Sequence, residues 1–494
     1  MERNKNRIFP ALLCALCVFC GSLFSGEAAV ATPPAEAPLV ATPVTLFDRI
    51  VDLNRSVQEP ELDPVKLRDE FSKLIERAKT ALVDKTTPEQ KIAALNTVLL
   101  SDRKVEYLSN KYWRDSTLAA SVLRGKGNCL STSTLYVLAG QALGLPIKMV
   151  LIPRHAFARW DDGTTRINIE TTSGGKCYPD SEYLSRWSQP GADDIERLGW
   201  CKSLDENSVY AELLLTSANH RVGEGKLDEA LKLMDRAITI LPNRSDIALR
   251  RCALMAEITG RRDEARAKVL LMLNDQKEHP LPASVETEAL MYLAGDAAGE
   301  SDHQRERLYL MAAFARAPKS EQLHVLSSLA FCHRALKDYQ GAVRYMELAV
   351  MLDPQSDSTL YNLAILQKNA GRLPDAIGTI RRARKINPES WNLHILEAGY
   401  LILNGERDEG MKLYETLEKP RADEEFWDIM QAWFFAASAQ RDKFYPQFEK
   451  ALSQAHSTRI LEWIDQDPDL DVYRGEDEFK AVVEKHRKRL LGEK

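Results

Sequence analysis

From about residue 207 onward, this 494-residue chain carries a spacing pattern that repeats. A small residue is followed by a second small residue seven positions later and by a proline twelve positions later, and a glycine often precedes the first small residue by five positions. Small residues let two helices approach closely and proline ends a helix, so the pattern predicts consecutive pairs of antiparallel helices. The copies are Ala230, Ala237 and Pro242; Ala342, Ala349 and Pro354; Ala376, Ala383 and Pro388; and a degenerate one at Glu306, Ala313 and Pro318.

The prolines Pro318, Pro354 and Pro388 are 36 and 34 residues apart, which matches the period of tetratricopeptide repeats. We expect five or six repeats over residues 207–455, stacked into a solenoid, and a charged capping segment over 456–494. The groove of such a solenoid suits a protein or peptide ligand, although no motif identifies that ligand. A purely structural role as a spacer is the alternative.

A cysteine begins a predicted helix upstream of the repeats. Asn128 is a preferred N-cap residue, an apolar-periodic run follows over 130–143, and Gly144 is a stop signal. Cys129 therefore lies in the first turn, where unpaired backbone N–H groups and the helix dipole favour a thiolate over a thiol. Such a cysteine becomes a nucleophile when a histidine and an orienting acid lie beside it.

A hairpin signal connects the two remaining candidates. Asp162-Gly163 stands between two strand-like runs and predicts a tight turn. In that register His155 faces Glu170 on one side of the sheet, whereas an odd-length loop would move Glu170 to the other side. The same register sets Arg159 opposite Arg166, a like-charge pair that costs roughly a few tenths of a kcal/mol. Taken singly, each of these residues can have an ordinary structural role. Only their combination predicts a catalytic triad.

The segments around these residues resemble the transglutaminase-like core of the papain-like superfamily. The resemblance covers roughly residues 60 to 190 and is closest to the bacterial SirB-type branch, in which tetratricopeptide repeats follow the core. It is carried by residues 87–96 (TPEQKIAALN), 119–129 (AASVLRGKGNC), 138–139 (LA), 142–146 (ALGLP), 153–157 (PRHAF) and 170–175 (ETTSGG).

The resemblance implies that Cys129 is the nucleophile, His155 the base and Glu170 the orienting acid. Two departures from the family pattern matter: the acid is usually aspartate, and many SirB-type relatives lack the cysteine that is present here. We expect an α+β papain/transglutaminase-like domain over 45–205 followed by an all-α tetratricopeptide-repeat solenoid.

Two functions follow from this organisation. The first is a cysteine-dependent enzyme that acts on amide bonds by hydrolysis or acyl transfer, with the backbone N–H of Cys129 as oxyanion donor. The alternative is a catalytically inactive transglutaminase-like binding module or a tetratricopeptide scaffold. Neither the substrate nor the oligomeric state is encoded in a recognisable motif.

The N-terminus predicts export to the periplasm or secretion. Basic residues precede an apolar stretch and a small-residue cleavage site, which is typical of a signal peptide over 1–31, and a Pro/Ala-rich linker follows over 32–44. Contact with a membrane is expected only if this signal stays uncleaved.

Several functional classes are disfavoured by composition and spacing. The net charge of −6 and the absence of a basic stripe argue against a nucleic-acid partner, and no glycine loop of the nucleotide-binding types is present. We expect no cofactor, and no metal, since outside the signal no close pair of Cys or His ligands occurs. Cys177 and Cys201 are left as either a disulfide or two free thiols.

Overall fold

The computed structural model describes residues 45–108, 116–186, 190–275, 280–420, 424–455 and 459–491. The predicted signal and linker lie outside these ranges. Across the described ranges, no helix combines the length and apolarity needed to cross a membrane. The chain divides into two compact units: a first unit that runs to Asp296 and includes 315–320, and a second unit made of 297–314 and 321–494.

The first unit opens with an α+β arrangement, as predicted. Its main sheet has the strand order β5-β4-β3-β6 with antiparallel neighbours, a separate parallel pair joins β1 to β2, and helix α4 packs on β3 and β4. In chain order the elements are α1 (Leu46–Leu53), α2 (Pro64–Leu82), α3 (Pro88–Asn96), β1 (Glu106–Tyr107), β2 (Lys126–Gly127), α4 (Cys129–Leu143), β3 (Ile147–Ile152), β4 (His155–Asp161), β5 (Arg166–Ile169), α5 (Asp180–Arg186), α6 (Ala192–Arg197) and β6 (Ser203–Leu204).

The cysteine-bearing helix α4 begins and ends where its sequence signals lie. The Asn128 side chain accepts hydrogen bonds from the backbone N–H groups of Leu130 and Ser131, and the Ser131 hydroxyl accepts one from the backbone N–H of Asn128 in return. At the other end Gly144 has φ +65°, a left-handed conformation that suits glycine. Cys129 is therefore the first residue of the helix.

The hairpin of β4 and β5 has a different register from the predicted one. Arg159 pairs with Asn168 and Asp161 pairs with Arg166, which is a shift of two residues. The like-charge pair of Arg159 and Arg166 consequently does not form, and Arg166 instead lies 3.3 Å from the carboxylate of Asp161. Because the shift is even, each side chain keeps the face that was predicted for it.

The shift has a local cause in the loop. One carboxylate oxygen of Asp162 accepts hydrogen bonds from the backbone N–H groups of Thr164 and Thr165, at 2.9 and 2.7 Å. These bonds close a turn over residues 162–165 with Gly163 at φ +89°. The observed loop therefore has four residues, 162–165, and still contains the predicted Asp162-Gly163 turn.

From Glu206 onward the described residues form helices without a strand, as expected for a repeat array. Gly225, Gly260, Gly371 and Gly405 all have positive φ in the turns that connect two helices of a pair. The helices are α7 (Glu206–Gly223), α8 (Leu227–Ile240), α9 (Ser245–Thr259), α10 (Arg262–Asn274), α11 (Ala283–Gly299), α12 (His303–Arg316), α13 (Lys319–Ala335), α14 (Tyr339–Leu352), α15 (Asp357–Asn369), α16 (Leu373–Ile386), α17 (Trp391–Leu403), α18 (Arg407–Glu415), α19 (Glu424–Ala437) and α20 (Arg441–Gln454).

Among these described helices, packing within a pair is observed for α7 with α8, α9 with α10, α15 with α16, α17 with α18 and α19 with α20. The number of repeats stays a prediction. The pair of α19 and α20 lacks the sequence pattern. Ala439, with φ +55°, stands in the glycine position, and the buried Phe444 stands in the position of the first small residue. Phe444 stacks on Phe448 and contacts Tyr473, which follows the repeats, so this pair packs against the capping segment as well as against α17 of the preceding pair.

The capping segment continues the second unit. It consists of α21 (Arg459–Gln466), a 3₁₀ turn (Pro468–Leu470), α22 (Asp471–Arg474) and α23 (Asp477–Leu491). Its buried apolar residues form one cluster with those of α19 and α20.

The first helix pairs share a hydrophobic core with the α+β part of the first unit. One continuous cluster of buried residues extends from Leu46 in α1 to Leu254 in α9. The Arg221 guanidinium in α7 also donates to the backbone carbonyl of Val57. The predicted boundary near residue 205 therefore marks the start of the helix pairs but not the end of a separate core.

Candidate active site

The Cys129 side chain lies at the start of α4 and is largely buried, with 6% of the residue exposed. The short strand β2 leads directly into it, and the last residue of that strand must be small. A Cβ atom on Gly127 would lie 2.9 Å or less from the hydroxyl oxygens of Ser121 and Ser131. The glycine before the cysteine thus allows the backbone to enter the helix close to its neighbours.

His155 and Glu170 form a close pair in the structure. The distance between His155 Nε2 and Glu170 Oε2 is 2.8 Å, and both side chains are buried. In the observed register Glu170 lies diagonally across from His155, just beyond the end of β5, rather than directly opposite. Because diagonal neighbours are farther apart than directly opposed residues, the long glutamate side chain suits this position.

The loop after β5 holds Glu170 in place. The backbone N–H of Thr172 donates to Glu170 Oε1 at 3.0 Å, and the backbone of Glu170 itself is bridged to Lys176. Burial favours the neutral acid, but hydrogen bonds from His155 and Thr172 and the charge of His155 outweigh it and lower the pKa of Glu170. Glu170 is therefore an anion at neutral pH.

His155 also forms a hydrogen bond with the side chain of Cys129, so the structure brings all three predicted site residues together. Since Nε2 faces Glu170, Nδ1 is the ring nitrogen left for the cysteine. Burial disfavours the imidazolium, but the hydrogen bonds and negative charges of Cys129 and Glu170 outweigh it and raise the pKa of His155 to about 9. The histidine is therefore protonated at neutral pH.

Two tyrosines near these residues were not identified from the sequence. Tyr183 in α5 is fully buried, stacks on Phe157 with ring centroids 3.8 Å apart, and lies 6.2 Å from the His155 ring in a nearly parallel orientation. Burial, with a smaller contribution from Glu170, raises the pKa of Tyr183. Tyr107 is half exposed, and burial together with the charges of Cys129 and Glu170 raises its pKa.

A small cavity with both polar and apolar walls adjoins this site. Its volume is about 190 Å³, and Tyr107 forms part of its wall. The hydroxyl of Thr132, one turn after Cys129 on α4, lies 2.8 Å from that of Thr171, which follows Glu170. The other polar side chains of the wall are Ser101, Lys104 and Thr172.

The remaining cysteines of the described chain are free thiols. Cys177 is exposed and Cys201 is partly buried, and the two residues do not form a disulfide in the structure. Burial raises the pKa of both thiols. Within the described ranges there is also no group of three or more His, Cys, Asp or Glu side chains that could hold a metal ion.

Comparison with known families agrees with this architecture. Residues 66–197 match the transglutaminase-like superfamily, and residues 333–390 match the tetratricopeptide repeat. The first match contains Cys129, His155 and Glu170. No curated protein matches the chain. The SirB-type assignment stays a prediction.

Several solved structures are similar to part of this chain. One is a tetratricopeptide repeat protein from Parabacteroides merdae, with 15% identity and a TM-score of 0.37, covering 51% of this chain and 96% of that one. A second is a thermophilic tetratricopeptide repeat protein of Thermus thermophilus, with 18% identity, a TM-score of 0.29, and coverage of 39% and 99%. A third is YrrB, described as having an unusual peptide-binding site, with 13% identity, a TM-score of 0.24, and coverage of 41% and 82%.

The chain thus contains a transglutaminase-like domain followed by tetratricopeptide repeats.

Proposed function

We propose that this protein is a cysteine-dependent enzyme that acts on amide bonds, with Cys129, His155 and Glu170 as its catalytic residues. The observation that carries the proposal is the continuous arrangement of the three side chains at the start of α4. His155 contacts Cys129 and also lies 2.8 Å from Glu170, which is the order that nucleophilic catalysis by a thiol requires.

The reaction would proceed through a thioester. The Cys129 sulfur attacks the carbonyl carbon, the C–N bond breaks, and the His155 imidazolium gives its proton to the departing amine. Water or a second amine then attacks the thioester, His155 takes a proton from it, and the Cys129 thiolate is released. Glu170 keeps the ring of His155 oriented and stabilises its positive charge throughout.

Oxyanion stabilisation is assigned to the backbone N–H of Cys129. This N–H lies in the first turn of α4, where backbone donors have no partner within the helix. The cavity lined by Tyr107 and Thr132 would hold part of a bound substrate. Export through the predicted signal and partner binding by the repeats complete the proposal.

One observation favours the alternative of an inactive binding module. Cys129 and His155 expose only 6% and 9% of their surfaces, so a substrate carbonyl reaches the sulfur only if neighbouring groups move. Under this alternative the buried pair of His155 and Glu170 would stabilise the fold and perform no chemistry.

The two functions are separated by an activity assay. Dimethylcasein is incubated with a fluorescent primary amine to detect acyl transfer, and with water alone to detect amide hydrolysis. Wild type is compared with Cys129→Ala and with Cys252→Ala, a matched control in α9 far from the triad in sequence. Loss of a nucleophile removes several powers of ten in rate, so we expect activity in wild type and the control only. Equal activity in all three proteins would exclude Cys129 as the nucleophile.

Thiol labelling gives a second test that needs no substrate. Iodoacetamide modification followed by mass spectrometry should label Cys129 faster than the exposed Cys177 at about pH 6, because His155 is protonated there and stabilises a thiolate. In His155→Ala this preference for Cys129 should disappear. Preferential labelling of Cys177 in wild type would favour the inactive binding module.

A further inference from the structure

The capping segment places two carboxylates against the repeats of the second unit. The 3₁₀ turn at Pro468–Leu470 packs on α19, and Asp467 and Asp469 flank the proline at its start. The Lys368 ammonium in α15 lies 3.8 Å from Asp467 and also pairs with Asp469. All three side chains are 12–19% exposed, which is low for charged groups.

Aromatic residues from successive repeats complete the surroundings of these carboxylates. The indole N–H of Trp433 in α19 donates to Asp469 at 2.8 Å. Tyr400 in α17 packs against Trp433 with ring centroids 5.9 Å apart. Burial, with added contributions from the Asp467 charge, raises the pKa values of Tyr361 in α15 and of Tyr400. We call the surface formed by Tyr361, Lys368, Tyr400 and Trp433 the Lys368 cleft.

The cleft is built from equivalent helices of three consecutive pairs. Helices α15, α17 and α19 are each the first helix of a pair, and each contributes at least one of the four side chains. A glycine in α17 makes this possible, because a Cβ atom on Gly399 would lie 2.3 Å from the Trp433 ring. The repeats thus place one ammonium group, one indole N–H donor and two buried tyrosines around the two carboxylates.

The bound segment has the features of a short peptide ligand. It is not a repeat helix, and Asp467 accepts a hydrogen bond from the backbone N–H of Asp469, which fixes the turn. Arg474 donates to the backbone carbonyls of Ile464 and Asp467, so the turn keeps its shape through its own contacts. Buried ion pairs add little net stability compared with apolar residues of the same size. The charged contact is therefore better explained by recognition than by stabilisation.

We propose that the Lys368 cleft is a binding site for an acidic Asp-Pro-Asp turn of a partner protein, and that residues 467–469 occupy it as a tethered intramolecular ligand. A tethered ligand competes at an effective concentration in the millimolar range, so a free peptide binds the intact protein weakly. The inference rests on the partner-binding role proposed for the repeats. It does not involve the triad.

The test uses the full-length protein and a fluorescent peptide with the sequence of residues 464–474. In the double variant Asp467→Asn/Asp469→Asn the tether loses its charges, while asparagine keeps the ability to cap the turn. We expect this variant to bind the peptide at least about tenfold more tightly than wild type, as measured by fluorescence anisotropy. Adding Lys368→Met to the double variant should abolish this gain.

A matched control removes the same number of charges elsewhere on the capping segment. Asp465 and Asp477 are exposed, so Asp465→Asn/Asp477→Asn should bind the peptide as weakly as wild type. A peptide with asparagine at both positions of the Asp-Pro-Asp turn should not bind any of the proteins. Equal affinity of the control and of the Asp467/Asp469 variant would overturn the proposal, as would equal affinity for the neutral peptide.

A second measurement uses the unaltered protein, so it does not depend on a variant that folds. Millimolar acidic peptide should displace the tether and increase hydrogen exchange of the backbone amides over residues 467–474, whereas the neutral peptide should not. Unchanged exchange with both peptides would refute displacement. Neither assay has a catalytic step, so a negative result would leave the amide-bond proposal untouched.

Discussion

At the scale of single residues, His155 is a group whose charge depends strongly on its neighbours. Its pKa is raised from 6.5 to about 9, which means that the native state binds this proton more tightly than the unfolded chain does. The resulting stabilisation is fully present below about pH 6.5 and is lost as the pH rises through about 9. On the acidic side the lowered pKa of Glu170 gives the opposite sign, so its contribution is lost as the pH falls below 4.5.

This charge predicts a pH-dependent stability difference. Wild type should gain stability over His155→Gln at pH 6 but not at pH 10. The difference in free energy of unfolding between the two proteins should therefore be larger at pH 6 by on the order of 3 kcal/mol. Urea unfolding at the two pH values measures the difference. If the gap between the two proteins is the same at both values, His155 is not held as an imidazolium by Cys129 and Glu170.

The three triad residues could be named from sequence because each is marked by a local signal. Asn128 caps the helix that Cys129 begins, and the hairpin places His155 and Glu170 on one face. Tyr183 could not be named in this way. Its contact with the site arises from the packing of α5 on β4, and no spacing in the chain encodes that packing.

At the scale of secondary-structure elements, the hairpin shows what sequence could and could not settle. Its strands, its even loop length and the shared face of His155 and Glu170 were predictable, because side chains alternate along a strand. The register was not, because it depends on the hydrogen bonds that Asp162 makes within the loop. Because the predicted register differs from the observed one by two residues, His155 and Glu170 still lie on the same face of the sheet.

The diagonal geometry predicts that the length of the acid matters. In Glu170→Asp the carboxylate is one methylene shorter and loses its 2.8 Å contact with His155. The pKa of His155, followed by histidine NMR, should fall toward 6.5, and amide-bond activity should fall by about 100-fold because the ring is misplaced. The matched variant Glu170→Gln keeps the length and loses the charge, so it should also lower the pKa. An unchanged pKa of His155 in Glu170→Asp would mean that the shorter carboxylate still contacts the histidine ring.

The repeat helices provide a prediction about packing. Ala376 in α16 is fully buried, so Ala376→Leu should overpack the contact and lower the free energy of unfolding by about 1–3 kcal/mol. Gly378 lies on the open side of the same helix, where an added Cβ meets no atom within 4 Å. Gly378→Leu should therefore cause no loss and serves as the control in urea unfolding. Equal losses in both variants would mean that the small residue is not a packing requirement.

At the scale of the whole molecule, the first unit joins two regions that the sequence presents as separate domains. Sequence patterns show where helix pairs begin, but they do not show which apolar faces share a core. The buried cluster that includes Ile50 in α1 and Leu214 in α7 crosses the predicted boundary. Asp194 in α6 also accepts a hydrogen bond from the Ser284 hydroxyl at 2.6 Å, so α11 contacts the α+β part of the first unit as well.

This shared core predicts how the chain responds to truncation. A chain that ends at Asp205 loses α7 and α8 and exposes the apolar face of α1, so it should fail to unfold cooperatively and should aggregate. A chain that ends at Gly299 keeps α7 to α11 and the bond between Asp194 and Ser284, so it should stay soluble and show one cooperative urea transition. The longer chain is therefore the one in which turnover of a small amide can be separated from partner binding by the later repeats. If the chain ending at Asp205 folds cooperatively and is as stable as the longer one, the first helix pairs contribute nothing to the core that supports the triad.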